Sequence, residues 1–292
     1  MPTFSQPNRH ILAATPTCFL GFDPWVAYGY FQQAGIHHVE VLAFPAFLGI
    51  QFGLTTFAPE SMDARDVQLL RERLRAMQLT PLTVGALCDP LDPSQVEAFR
   101  RRIDFARQLD APFVMGDVSP DAETGERRRK LVNALRWFGD YAAERDIRIA
   151  LETHEGPTRN GKLARELLSE VNHPSVGFNY DTGNIYYYNE GIDPAEDIKE
   201  IADRVIHVHL KDTLGGKGEW QFCALGEGRV NFPKVIQTLE SAGYSGPYSL
   251  EIEGLEGEDL TREQHLKRIL KSLEYLKKID LKFSGASGEA ET

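Results

Sequence analysis

Eight times along this chain a short apolar run of strand character is followed by a segment of helical periodicity, and each of the last four runs ends on side chains able to bind metal. Strands are expected over 11–14, 38–44, 81–87, 113–117, 148–152, 176–181, 205–211 and 248–253. Helices are expected over 24–34, 63–77, 94–109, 121–144, 161–171, 194–202, 232–242 and 261–279. The third helix shows the 3.6-residue period, with Val96, Phe99, Ile103, Phe105 and Ala106 set among Arg and Asp. Gly35 and Gly243 stand where a left-handed helix cap leads into the next strand. Strict alternation requires a parallel sheet, and eight repeats favour its closed form, an α/β single-domain (β/α)8 barrel of the TIM type. An open doubly wound sheet would bring a Gly-rich phosphate turn after its first strand, and none is present.

The length of 292 residues suits one such barrel, with the catalytic domain expected over 1–283 and a Gly/Ser/Glu-rich tail, 284–292, expected to be disordered. A hydrophobic fraction of 42% fills a sizeable core, and a formal net charge of −11 argues against nucleic acid or an anionic membrane surface as partner. Cys18, Cys88 and Cys223 lie far apart without CxxC spacing, which disfavours a disulfide framework or a zinc–thiolate site and fits a reducing, cytoplasmic setting. The first residues lack the apolar core of a signal peptide, and no apolar stretch approaches 18 residues. The longest strand-to-helix connections, 45–62 with Phe47, Phe52 and Phe57 and 211–231 with Trp220 and Phe222, are expected to cover the substrate pocket.

The strand ends carry the chemistry. Side chains alternate along a strand, so Glu152 shares a face with His154, Asn179 with Asp181, His207 with His209 and Lys211, and Glu251 with Glu253. In a barrel these groups converge on the mouth at the C-terminal ends of the strands. Three buried carboxylates without a counter-charge are unstable, and a divalent cation removes the difficulty. Three carboxylates and one imidazole suit Mn2+, with Mg2+, Co2+ or Zn2+ also accommodated. Alternation alone does not choose His209 over His207, or Glu251 over Glu253.

The stretches Ala150-Leu151-Glu152-Thr153-His154, Asp181-Thr182-Gly183-Asn184, His207-Val208-His209-Leu210-Lys211-Asp212, Leu225-Gly226-Glu227-Gly228 with Val230-Asn231-Phe232, and Gly246-Pro247-Tyr248-Ser249-Leu250-Glu251 occur in that order. Together they resemble the xylose-isomerase-like barrels, and within them the sugar-phosphate isomerase/epimerase group of ketose 3-epimerases, hydroxypyruvate isomerases and inosose dehydratases. The resemblance covers the C-terminal half; the N-terminal half matches only in its β–α rhythm. It implies that Glu152, Asp181, His209 and Glu251 hold the metal and that Glu152 and Glu251 move protons on opposite sides of a sugar. The implied chemistry is isomerisation or epimerisation of a keto-sugar or related polyol. A neutral substrate is expected because the chain offers no Gly-rich phosphate cradle and the mouth is rich in carboxylates, with Arg229 and Lys217 as the opposing signal. A divalent ion on the carbonyl oxygen stabilises an enediolate while a carboxylate removes the neighbouring proton.

Departures from the ketose 3-epimerase pattern are equally specific. Asn184 stands where those enzymes carry a substrate-holding His, Thr158 where they carry a second Glu, and Gly215 where they carry an Arg. His154 and Lys211, with Glu155, are left for substrate hydroxyls or further acid–base work, the alternatives being that His154 is a passive hydrogen-bond partner and that Lys211 pairs with a ligand carboxylate. Asn184, Trp220 and Phe222 are left for substrate binding. Asp212 is expected to organise its own loop, and Tyr186, Tyr187 and Tyr188 to line the pocket or an interface. The alternative chemistry is that of a lyase or dehydratase acting on a keto-sugar, keto-cyclitol or 3-keto-glycoside at the same metal, with the aromatic residues receiving an aglycone. A barrel endonuclease would need more well-placed histidines than the eight present, and a basic groove. A non-enzymatic sugar- or protein-binding barrel would not need the four-ligand set. The expected partner is a small-molecule sugar, with a homo-oligomer allowed. His37 and His38 are expected to be structural, and His10, His173 and His265 to lie on the surface.

Overall fold

The computed structural model describes residues 10–45, 49–50 and 53–283. Eight parallel strands close into a barrel: β1 (Leu12–Ala14), β2 (His38–Leu42), β3 (Thr80–Gly85), β4 (Phe113–Gly116), β5 (Arg148–Glu152), β6 (Val176–Asp181), β7 (Val205–Leu210) and β10 (Tyr248–Leu250). Each pairs with its sequence neighbours, and β1 closes the ring onto β10 through Leu12 opposite Tyr248. The strands β8 (Asp212–Thr213), β9 (Gln221–Cys223) and β11 (Gly254–Leu255) form a separate antiparallel sheet.

Alternation sorts the side chains of β2 cleanly. Val39 and Val41 are buried in the main core with Leu70 and Leu74 of the following helix, while Glu40, in between, faces the barrel interior and is also wholly buried. Phe178 and Tyr180 join the same core from β6, while Asn179 and Asp181 point inward. Each such buried Val, Leu or Phe contributes on the order of 1.5–3 kcal/mol. The inward layer below the mouth is polar: Thr83, Asn179, His207 and Ser249 are all buried and hydrogen-bonded to one another through His207.

Nine helices are seen among the described residues: α1 (Pro24–Gln33), α2 (Ala64–Ala76), α3 (Pro93–Leu109), α4 (Gly125–Ala143), α5 (Gly161–Val171), α6 (Thr182–Tyr188), α7 (Pro194–Asp197), α8 (Phe232–Ser241) and α9 (Arg262–Lys278). Helix caps set their starts. Asp63 and Asp66 form a capping box on α2, and Thr261 and Gln264 another on α9. No helix among them is long and apolar enough to cross a membrane.

The differences from the expected elements are local. The helix expected over 194–202 is a single α turn followed by 3-10 turns, and the last barrel strand stops at Leu250 instead of 253. Helix α6, unexpected from sequence, starts at once from the end of β6 because Asp181 caps it. His10 and His265 are buried, not on the surface. His10 lies against Tyr248 with ring centroids 5.0 Å apart, and His265 packs on Phe19 at 5.0 Å. His265 opens the inward stripe of α9 that continues at Ile269, Ser272 and Leu276, so its helical position and not its polarity decides its burial. Phe57 packs edge-on against Trp25 of α1, while Phe47, Phe52, the start of the chain to residue 9 and the tail 284–292 lie outside the described residues.

Candidate metal centre

Short polar motifs at the strand ends build the centre, each residue with a separate task. Asp181 ends β6 and caps α6: its Oδ1 accepts from the amides of Gly183 (2.8 Å) and Asn184 (2.9 Å), which leaves Oδ2 turned to the barrel axis. The Thr182 hydroxyl donates to the carbonyl of Lys211 at 2.7 Å and accepts from its amide at 3.0 Å, pinning the end of β7. Gly183 leaves room for Lys211, because a Cβ there would stand 2.8 Å from Lys211 Cγ. Asn184 donates from its side-chain amide to the carbonyl of Thr153 at 3.0 Å, joining α6 to the end of β5.

Donor atoms of Glu152, Asp181, His209 and Glu251 all lie within 4.8 Å of one another. His209 Nδ1 is 3.2 Å from Glu152 Oε1, 3.0 Å from Glu251 Oε2 and 3.9 Å from Asp181 Oδ2. The other ring nitrogen, Nε2, is 3.1 Å from Glu40 Oε1. Structure separates the two histidines that alternation leaves equivalent. His207 lies deeper, with Nδ1 2.8 Å from Asn179 Oδ1 and Nε2 3.1 Å from Ser249 Oγ. Burial lowers its pKa to about 4, so it is a neutral member of the interior network. Glu253 is likewise separated from Glu251. It pairs with Lys211 Nζ at 2.5 Å and is pushed up to about 7 by burial, against the pull of that lysine.

Lys211 is buried among acids, with Nζ 3.4 Å from Asp181 Oδ2 and 3.3 Å from Glu251 Oε2. Burial disfavours its charge, but Asp181, Glu251 and Glu253 outweigh burial and hold its pKa well above the usual lysine value. Burial likewise works against a charged His209, and Glu251 and Glu40 outweigh it. Among the acids burial pushes Asp181 well up, whereas at Glu251 Lys211 and His209 overcome burial and hold it well down. Asp181 Oδ2 accepts no hydrogen bond although buried. Three hard oxygen donors and one imidazole nitrogen, with a buried carboxylate oxygen that makes an ion-pair contact to Lys211 but accepts no hydrogen bond, fit a divalent cation.

Around this group the other expected residues take distinct places. His154 is partly exposed, with Nε2 3.0 Å from the Tyr188 hydroxyl and Nδ1 3.5 Å from Asp117 Oδ2. Phe222 is buried beneath Lys211, whose Nζ stands 4.3 Å above its ring, while Trp220 is half-buried and meets Phe222 and Tyr187 edge-on. Glu155 is exposed. Asp212 collects the amides of Thr213, Gly226, Gly228 and Val230 at 2.9–3.1 Å, so it organises the loop that carries the small sheet. Gly226 sits in that loop at φ +83°, a conformation that favours glycine. Gly215 has no room for the epimerase arginine, since a Cβ there would stand 2.8 Å from the carbonyl oxygen of Glu219.

Two further acids of the neighbourhood come from the N-terminal half of the chain, outside the last four strand ends. Glu40 interrupts the apolar run Val39–Leu42, and Asp117 ends the run Phe113–Gly116 in the same way that Glu152 ends β5.

The family model described as xylose isomerase-like TIM barrel matches residues 30–279. The chain belongs to that family. Among relatives in this family, L-ribulose-5-phosphate 3-epimerase UlaE of Escherichia coli (strain Crooks) is 26% identical over 184 residues, covering 62% of this chain and 63% of that protein. The chain thus matches less than two thirds of the length of that relative. A xylose isomerase-like TIM barrel protein of Mycobacterium smegmatis, solved in complex with magnesium, superposes with a TM-score of 0.73 at 18% identity over 93% of this chain and 97% of that one. D-allulose 3-epimerase of Methylomonas sp., solved in complex with D-allulose, gives 0.70 at 22% identity over 93% and 98%. At these identities the structural likeness is one of fold.

Proposed function

We propose that the protein is a divalent-metal-dependent isomerase or epimerase of a neutral keto-sugar or related polyol. The observation that carries this reading is the convergence of Glu152, Asp181, His209 and Glu251 within 4.8 Å at the C-terminal mouth of the barrel. These four would hold the ion, with Mn2+ the best match to the donors and Mg2+, Co2+ and Zn2+ accommodated. A bound divalent ion supplies electrostatic stabilisation of the negative charge that develops on a carbonyl oxygen during enolisation.

The protein's own groups do the rest. Glu152 and Glu251 reach His209 Nδ1 from neighbouring positions, 3.2 and 3.0 Å away, and serve as the pair that removes and returns the proton next to the carbonyl. Lys211 keeps its ammonium and donates to a substrate oxygen while balancing Glu251 and Asp181. His154, held between Asp117 and Tyr188, carries further proton traffic at the rim. Asn184 fixes the floor beside Thr153 and orients substrate. Phe222, on the small sheet, and Trp220, just before its strand β9, wall off the mouth and restrict water.

A neutral substrate follows from the carboxylate-rich mouth and the lack of a Gly-rich phosphate turn after the first strand. Of the two epimerase relatives, one is named for a phosphorylated ketose and the other for a free one. Lys217 and Arg229 line a cavity of about 540 Å3 with Tyr186 and Asp193. A preference in kcat/KM for phosphorylated sugars would assign that cavity to a phosphate and reverse the neutral assignment. A lyase acting on a keto-sugar, keto-cyclitol or 3-keto-glycoside is the second reading. It is favoured by Asn184, Thr158 and Gly215 at the epimerase positions and by the Tyr187–Trp220–Phe222 cluster.

The test is incubation of the metal-loaded protein with free and phosphorylated ketoses, inososes and 3-keto-glycosides in D2O, followed by proton NMR of the products. Uptake of solvent deuterium at one carbon next to the carbonyl is expected. An altered configuration marks an epimerase and loss of a β-substituent marks a lyase. Full metal occupancy without deuterium uptake from any of these substrates would point to a binding barrel.

A further inference from the structure

We propose that Glu40 is a positioning residue for the metal centre, fixing the His209 ring so that Nδ1 is presented to Glu152, Asp181 and Glu251. The inference rests on the four-residue centre proposed above and adds a residue from the opposite side of the barrel.

Glu40 is wholly buried in the middle of β2, between two core valines. The pairing register of β2 on β3 shifts between Val39 and Glu40, an irregularity of the kind that re-aims a side chain. Its backbone carbonyl accepts from the Tyr28 hydroxyl at 2.9 Å, which anchors the strand from the outer side. A buried carboxylate is costly to desolvate and needs a partner that offsets the loss of water. Its Oε1 lies 3.1 Å from His209 Nε2 and 3.5 Å from His207 Nε2, and its Oε2 accepts no hydrogen bond.

A neutral imidazole has one lone pair and one N–H. For Nδ1 to donate its lone pair to an ion among the three acids, the proton must sit on Nε2, and Glu40 Oε1 is the acceptor placed to receive it. His207 is engaged instead by Asn179 and Ser249. Metal-bound histidines are commonly oriented and made more basic by such a partner, whose removal costs about 10–100-fold in metal affinity. Glu40, His207 and His209 also bring donor atoms within 4.8 Å of one another, so a second, deeper ion is the competing arrangement.

Co2+ titration of the full chain separates these cases, with the visible d–d absorption, metal per chain and apo-protein Tm recorded for wild type, Glu40→Gln and Glu40→Leu. One ion per chain is expected in all three. Affinity is expected to fall about tenfold in Glu40→Gln, which keeps an acceptor without the charge, and towards about 100-fold in Glu40→Leu. A purely structural role would move Tm but not produce that order of affinity. Wild-type affinity and an unchanged spectrum in Glu40→Gln overturn the proposal, as do two ions per wild-type chain. Absence of any Co2+ uptake by folded wild type overturns the four-residue centre itself, and this proposal with it.

Discussion

At the scale of single residues, position along the strand separates roles that composition leaves mixed. Asp181 splits its two oxygens between capping α6 and facing the centre, so it serves fold and site together. Glu152 and Glu251 have no such capping duty, which leaves them available for proton transfer. Glu152→Gln and Glu251→Gln are therefore expected to lose at least about 10²-fold in kcat with a much smaller change in KM. Metal occupancy is to be measured alongside, because both residues also belong to the proposed ligand set. Near wild-type kcat in either variant, at full occupancy, removes that residue from the proton-transfer pair. His154 stands farther out between Asp117 and Tyr188, and the same assay on His154→Gln reads whether it moves protons or only orients. A fall in kcat of roughly 10²-fold is expected. Unchanged turnover would make it a passive partner and return all the proton work to the two glutamates.

At the scale of elements, sequence periodicity reaches the barrel but not its local exceptions. The strand runs 148–152 and 176–181 coincide with β5 and β6, because strands buried on both faces of a parallel barrel read as compact, largely apolar runs. Helix α6 is missed because a strand passes into a helix at Asp181 without an intervening loop. The small sheet is missed because strands of two or three residues carry no readable period. In the site, the DTGN and HLKD motifs are legible, whereas Glu40 is hidden by its place mid-strand, far from the others in sequence.

One element-level contact carries a pH signature. Asp197 ends α7, and its Oδ2 accepts from the Gly161 amide at 2.8 Å and the Tyr180 hydroxyl at 3.1 Å. Burial raises its pKa from 3.8 to about 6. The folded state therefore holds this proton more tightly than the unfolded chain. The stabilisation is fully present below pH 3.8 and is lost as pH rises through about 6. Over that window it amounts to something on the order of 3 kcal/mol. Asp197→Asn keeps an acceptor and removes the titration. The stability of wild type minus that of the variant, from urea melts, should fall between pH 4 and pH 7. A pH-independent difference would mean that Asp197 titrates at its ordinary value.

At the scale of the whole molecule, the closed barrel brings β2, β5, β6, β7 and β10 to one mouth, so acids separated by more than 200 residues share one site. Among the described residues, Glu40, Glu152, Asp181, Glu251 and Glu253 meet Lys211 and His209 as cationic partners, while His207 stays neutral. That imbalance, on a chain of net charge −11, is the physical reason to expect a resident divalent ion. The most direct measurement is metal content and Mn2+ affinity of the purified chain beside Asp181→Asn and His209→Ala, with folding confirmed by circular dichroism. About one ion per wild-type chain is expected, with a large loss of occupancy in both variants while the barrel persists. Full metal in both variants, or folded wild type that takes up no divalent ion, would contradict the proposed four-residue centre.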